Sequence, residues 1–419
     1  MFLPINKLEA GMTLSRDVLS ARAAVLVRTG TALSPEVLRR LAAWGIEAVH
    51  VSEINEEELR ERHSSRSDSE IMREAEEAVN RRLAHVQNAG LTVPLIREIA
   101  IAWTATRMLK GEYPARHAPP SFSQRGPAAG CARRDLTTFL MQAGNPPSLP
   151  EIYYQLTPLI EKPDTSVGEV AHLILQDQSL TSRILKLANS AFFGHSAEVA
   201  TIEVAVQLIG LREIHNLVLA TSVIKAFDRV LTDLLDVASF WQHSIACGIA
   251  SALLAEGRND AAPERMFIGG LLHEIGLLIM VLNAPEESCL ILERCESEGE
   301  IASKVEREVF GFDHAMLGAE LAWLWKLPRT LIDTIECHHS PPDSSPTTAD
   351  TFLVHYADFI TSALEFGNSG EVCVSPLKTP DAFETYYPAE GLESFVNEVD
   401  QRFCEVVPMF LNSGGKLTS

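Results

Sequence analysis

The first fifty residues alternate apolar and polar positions in short runs, and a helical period takes over after them. Residues 12–14, 24–27 and 48–51 read as short strands. Between the last two, Ser34 can cap a helix, Pro35 suits its first position and Gly45 the position just past its end. Val37, Leu38 and Leu41 form the apolar stripe of that helix. Residues 1–52 are therefore expected to form a small α+β domain. A unit of that size buries little surface and is expected to lean on another domain or on a second copy of the chain.

Residues 53–80 carry ten acidic and four basic side chains, the pattern of a solvated helix face, with 70–77 the most helix-prone block. A more apolar helix is expected over 93–109, which makes 53–110 a helical hairpin or stalk. Residues 111–134 are rich in Pro, Gly, Ser and Arg, so 111–144 is read as a flexible linker, ended by PPSLP at 146–150. From there the helical period dominates. Ile202, Ala205, Val206 and Ile209 line one helix face, as do Trp241, Ile245, Ile249 and Ala252. Asp313 can cap a helix that begins at His314, and Pro328 suits the first turn of the next. Asn189–Ser190 sits at a helix end, where a capping role is expected. Trp323 and Trp325, two apart on a helix, should divide between surface and core. No period-two run competes, so residues 145–367 are expected to be one all-α domain. The extension 368–419 closes with a helix whose apolar side is Leu392, Phe395, Val396, Val399 and Phe403. The fold class is mainly α.

Composition narrows the functions that this fold could carry. The 419 residues hold 35 Lys+Arg against 56 Asp+Glu, a formal charge of −21. Nucleic acid and anionic membranes repel such a chain, so neither is an expected partner. Seven scattered cysteines without a CxxC pair exclude a disulfide scaffold. The first residues lack the charged-then-apolar layout of a signal peptide, and the most apolar stretch, 267–280, is interrupted by His273 and Glu274. No membrane span and a cytoplasmic setting are the expectation.

Histidine is the informative residue: six of thirteen fall between His243 and His355. His243, the pair His273–Glu274, His314, the pair His338–His339 and Asp358 each lie on or at the end of an expected helix. Helical domains build metal sites from imidazoles and carboxylates that project inward from facing helices. A divalent cation held there could lower the pKa of a water and orient a phosphate ester. Spacings of twenty to forty residues leave open whether these side chains converge or serve separately as core and surface residues.

The stretches DQSLTSRILKLANSAFFG (177–194) and AVQLIGLREIHNLVL (205–219) resemble the HDOD domain, a helical relative of the HD phosphohydrolases. FWQHSIACGIA (240–250), GGLLHEIGLLI (269–279), HAMLGAELAWLWKLP (314–328) and ECHHSP (336–341) continue the likeness, which spans about 145–365. Residues 4–52 look like the small domain often found before HD-GYP phosphodiesterase domains. The resemblance implies an HD-like all-α fold. It places His243 at the first metal histidine, His273 at the histidine of the His-Asp pair, and Asp358 at the closing aspartate. His314 and His338–His339 fall at further metal histidines of HD-GYP enzymes, so the set would hold one or two divalent metal ions.

Three departures from that pattern matter. Glu274 replaces the aspartate of the pair, and its extra methylene moves the carboxylate by roughly 1 Å, enough to disturb a tuned site. Leu277 stands where the enzymes have a lysine, which removes a charge for phosphate oxygens. SPPDSSP follows the His-His pair in place of the glycine-tyrosine-proline signature. HDOD kinship implies a non-catalytic output or scaffolding module in signal transduction, acting through other signalling proteins and as a homodimer. The alternative is a divergent metal-dependent phosphohydrolase or cyclic-dinucleotide phosphodiesterase.

Overall fold

A computed structural model describes residues 68–87, 90–111, 113, 135–141, 148–190, 199–227, 234–343, 348–379, 387 and 389–411, with pieces of the first fifty (2–4, 14, 18–19, 25–27, 33, 41 and 48–50). The chain divides into two compact units, Met1–Arg73 and Glu74–Ser419.

In the first unit, β1 (Phe2–Pro4) pairs antiparallel with β4 (Ala48–His50), with Leu3 opposite Val49. β2 (Val18–Leu19) pairs with β3 (Val25–Val27) across a bulge. Two of the three expected strands thus lie on β3 and β4, and of 12–14 only Leu14 is among the described residues. Leu14, Leu33, Leu41 and Val49 are buried. Ser34, Pro35, Val37, Leu38 and Gly45 lie outside the described residues.

The second unit begins within helix α1 (Asp68–Arg82), which is followed by α2 (Thr92–Leu109). Val79, Leu83, Val93, Ile96 and Ala100 of this hairpin join the main hydrophobic core. A short helix, α3 (Leu136–Met141), lies inside the stretch read as linker, and Phe139 packs at 5.3 Å from both Phe310 and Phe312. The remainder of 111–144, apart from 111, 113 and 135, is outside the described residues.

Five helices follow: α4 (Glu151–Glu161), α5 (Val167–Ile174), α6 (Gln178–Ala188), α7 (Ile202–Ile209) and α8 (Leu211–Phe227). Their starts are written in the sequence. Ser166 and Glu169 form a reciprocal capping box on α5, and Asp177 and Thr201 cap α6 and α7. Asn189 fulfils its expected role. Its amide donates to Leu185 O and Val199 O, and its carbonyl accepts from Val199 N, which ties the end of α6 to the approach of α7.

His215 on α8 stacks on Tyr153 of α4 at 4.6 Å and meets Thr157 Oγ1 at 3.1 Å. Burial pulls its pKa from 6.5 down to about 4. Above pH 6.5 neither the folded nor the unfolded chain protonates this ring. Between 6.5 and 4 only the unfolded chain does, so acidification removes stability, about 2 kcal/mol by pH 5. Urea unfolding at pH 7 and pH 5 should show that excess loss in the native chain relative to His215→Phe, which keeps the stack. Equal losses would contradict it.

The remaining helices build the core: α9 (Val237–Ala255), α10 (Pro263–Leu272), α11 (Ile275–Asn283), α12 (Pro285–Glu298), α13 (Ala302–Phe310), α14 (His314–Leu324), α15 (Arg329–Cys337) and α16 (Thr348–Leu364). α17 (Leu392–Leu411) closes the described chain. The stripe expected on α9 is wider than its sequence period: every residue from His243 to Ala255 is buried, because α10, α16 and α17 all pack on it. α9 and the stretch from α10 through α11 are long and apolar enough to cross a membrane, but lie 78% and 89% buried inside the domain, as core helices do. Asp313 caps α14 by accepting from Met316 N. Trp325 is 2% exposed and Trp323 63%, the division expected of them.

Candidate metal centre

The seven residues singled out in the sequence come from five places in the core. His243 lies on α9, His273 and Glu274 between α10 and α11, and His314 at the first position of α14. His338 and His339 follow the last residue of α15, and Asp358 lies on α16. The His-Glu pair is not within one continuous helix. α10 ends at Leu272, and Glu274 takes φ −93°, ψ 3° before α11 starts. That break lets two neighbouring side chains reach the same interior, which an unbroken helix would aim about 100° apart.

Two clusters result. His243, His273, Glu274 and Asp358 form the first: Asp358 Oδ1 lies 3.3 Å from His243 Nε2 and 3.4 Å from His273 Nε2. Glu274, His314, His338 and His339 form the second. Glu274 belongs to both, with Oε1 3.8 Å from His273 Nε2 and Oε2 3.2 Å from His314 Nε2. Its carboxylate thus lies between the clusters. Within each cluster, one ligand atom per residue lies within 4.8 Å of all the others. Metal–ligand bonds of about 2 Å put ligand atoms roughly 3–4.5 Å apart, so the spacing suits a cation.

The chemistry of the donors fits as well. His273, Glu274, His314 and His338 are fully buried. Both oxygens of Glu274, His338 Nε2 and His339 Nδ1 are buried without a hydrogen-bond partner. Each such atom costs about 1–3 kcal/mol unless something binds it. The outward nitrogens are held. His273 Nδ1 donates to Gly270 O at 2.6 Å and His338 Nδ1 to Ile335 O at 2.7 Å. A carbonyl only accepts, so Nδ1 carries the proton and the Nε2 lone pair faces the interior. Burial, followed by the neighbouring histidines, holds His338 and His339 well below the usual pKa, so both rings are neutral. Burial would raise Asp358, but His243 and His273 keep it well below the usual carboxylate range.

Three contributors escape the sequence reading. Glu306 on α13 takes hydrogen bonds from His314 N at 2.8 Å and His314 Nδ1 at 2.7 Å, which aims His314 Nε2 at Glu274. Its one sequence signal is a carboxylate eight residues before a histidine, which is too common to read. His355, counted among the six histidines, faces away from the centre. Its Nδ1 donates to His338 O at 2.7 Å, and its Nε2 accepts from Lys378 N at 3.2 Å. Glu371, in the extension, has Oε1 buried without a partner. Burial first, then Glu274 and Asp358, push its carboxyl well above the usual range.

A cavity beside the second cluster is lined by Glu306, His314 and Glu371, with Leu235, Leu277, Met280 and Ile291 as its apolar wall. Among the described residues, no lysine or arginine lines it. A second cavity, beside His243, is lined by Glu371, Arg82 and Glu365, the last two joined as a buried ion pair.

Residues 147–341 match the family model described as HDOD domain. An uncharacterised protein of Treponema pallidum (strain Nichols) is 33% identical over 199 residues, which cover 47% of this chain and 38% of that protein. The chain thus spans well under half the length of that relative. Among solved structures, a candidate phosphohydrolase from Shewanella amazonensis SB2B is 26% identical with a TM-score of 0.51, covering 65% of this chain and 98% of its own. An HDOD domain protein of unknown function from Geobacter sulfurreducens shares the fold at 24% identity and a TM-score of 0.53, covering 66% and 99%.

Proposed function

From the premise that residues 147–341 are an HDOD domain, we propose that this chain is a signal-transduction protein whose helical core is organised by a pair of divalent metal ions and does not turn over a phosphate ester. The first ion would be held by His243, His273, Asp358 and one oxygen of Glu274, and the second by His314, His338, His339 and the other oxygen. When bound, such ions cross-link five segments of the core and neutralise its buried carboxylates. The observation that carries the non-catalytic half is the cavity wall. Leu277 and its apolar neighbours stand beside the second cluster, and the acidic side chains Glu306 and Glu371 line that cavity with them. An anionic phosphate entering there would find no lysine or arginine among the described residues to neutralise its oxygens. The output is then contact with other signalling proteins and with a second copy of the chain, in the cytoplasm, with partner affinity set by the state of the core.

The test is metal analysis of protein purified without chelator, paired with a phosphodiesterase screen on a chromogenic diester and on cyclic dinucleotides. Two equivalents of metal are expected, with both lost in Glu274→Ala, and no turnover. Metal-free protein would remove the metal half. Turnover that disappears in His273→Ala would replace this reading with the phosphohydrolase one.

A further inference from the structure

The segment from Gly367 to Val374 lies beyond the matched domain and runs across the candidate centre. It is built as a strap. At its start, Asn368 N donates to Ser239 O at 3.0 Å, and Gly367 lies so close to α9 that a Cβ there would collide with Ser239 O and His243 N. At its end, Val374 N donates to Arg82 O at 2.9 Å, and Cys373 Sγ meets Gly299 O at 3.4 Å. Gly370 takes φ 99°, a conformation that turns the chain between these anchors. Glu371 follows. It lines both cavities, the one beside His314 and the one beside His243, and each has room for about one water molecule.

We infer that Glu371 is an outer carboxylate of the metal pair, delivered by the strap and acting across a gap of about one water. The inference rests on the reading above, and the placement of Glu371 carries it: the side chain lines the cavities beside both clusters, and its Oε1 is buried there without a partner. Outer carboxylates of this kind change metal affinity about 10–100-fold.

Titration calorimetry with Mn2+ on the metal-stripped full chain tests it, alongside thermal melts with and without Mn2+. Glu371→Gln is expected to bind at least about tenfold more weakly. Without metal it should melt no lower than the native chain, because an amide of the same shape places no charge beside Glu274 and Asp358. A purely structural role would lower both melts. Native protein that takes up no Mn2+ defeats the metal reading itself. Native protein that binds two ions while folded Glu371→Gln binds them equally well overturns the role of Glu371 alone. Should Glu371→Gln fail to fold, Glu371→Asp is judged by the same affinity criterion.

Discussion

Replacing Gly276 with alanine should destabilise the domain by about 3 kcal/mol, the upper end of what an overpacked core position typically costs. Gly276 lies on α11, two residues after Glu274, where that helix crosses α14. A Cβ there would collide with His314 O and come within 2.6 Å of Gly318 N. The obstacle is backbone, so no rotamer change relieves it, and α11 and α14 must separate. Separation also moves His314 away from Glu274, from which it stands 3.2 Å. Urea unfolding of the metal-stripped chain measures the loss of stability, and metal content measures the loss of alignment. An unfolding free energy within 1 kcal/mol of the native value would show that the crossing is looser than described.

Arg82→Met should cost about 3–5 kcal/mol, because it leaves a buried carboxylate without its partner. Arg82 is 3% exposed and Glu365 8%. The guanidinium pairs with Glu365, donates to Ala363 O at 2.6 Å and reaches Tyr113 Oη at 3.1 Å. Glu365 is held in place from the other side as well: Arg107 Nη1 donates to its carbonyl at 2.9 Å, and its own φ is +57°. Its backbone is therefore fixed at the turn that follows α16. The double variant Arg82→Met, Glu365→Met removes both charges and should recover most of the loss, since well-packed apolar residues replace buried pairs at little cost. A single variant that loses under 1 kcal/mol, or a double variant as unstable as the single, would sink this account.

The helical domain was legible in sequence because its signals are local. Asp313, Asn189, the stripe of α7 and the split between Trp323 and Trp325 each depend on residues a few positions apart. The candidate residues were legible as types in a pattern, and the resemblance placed them. Their convergence was not, because it depends on contacts between helices such as α11 on α14 and α9 on α16. The break at Glu274 was hidden because the apolar run resumes directly after His273 and Glu274, with no proline or capping residue to mark it. Glu306 and Glu371 were invisible for a related reason. Each is one of many acidic residues, and only the packing of α13 and of the strap sets these two apart.

The depth of the centre has a consequence in time. In the proposed reading, ions enclosed by ligands that are all buried except the half-buried His339, under an anchored strap, leave only when the core opens. Their lifetime is then set by local unfolding, and a strong chelator added to folded protein should strip them no faster than a weak one. The chain would keep the cation it met while folding, and the metal it carries would record the supply at synthesis rather than the affinity order of divalent ions.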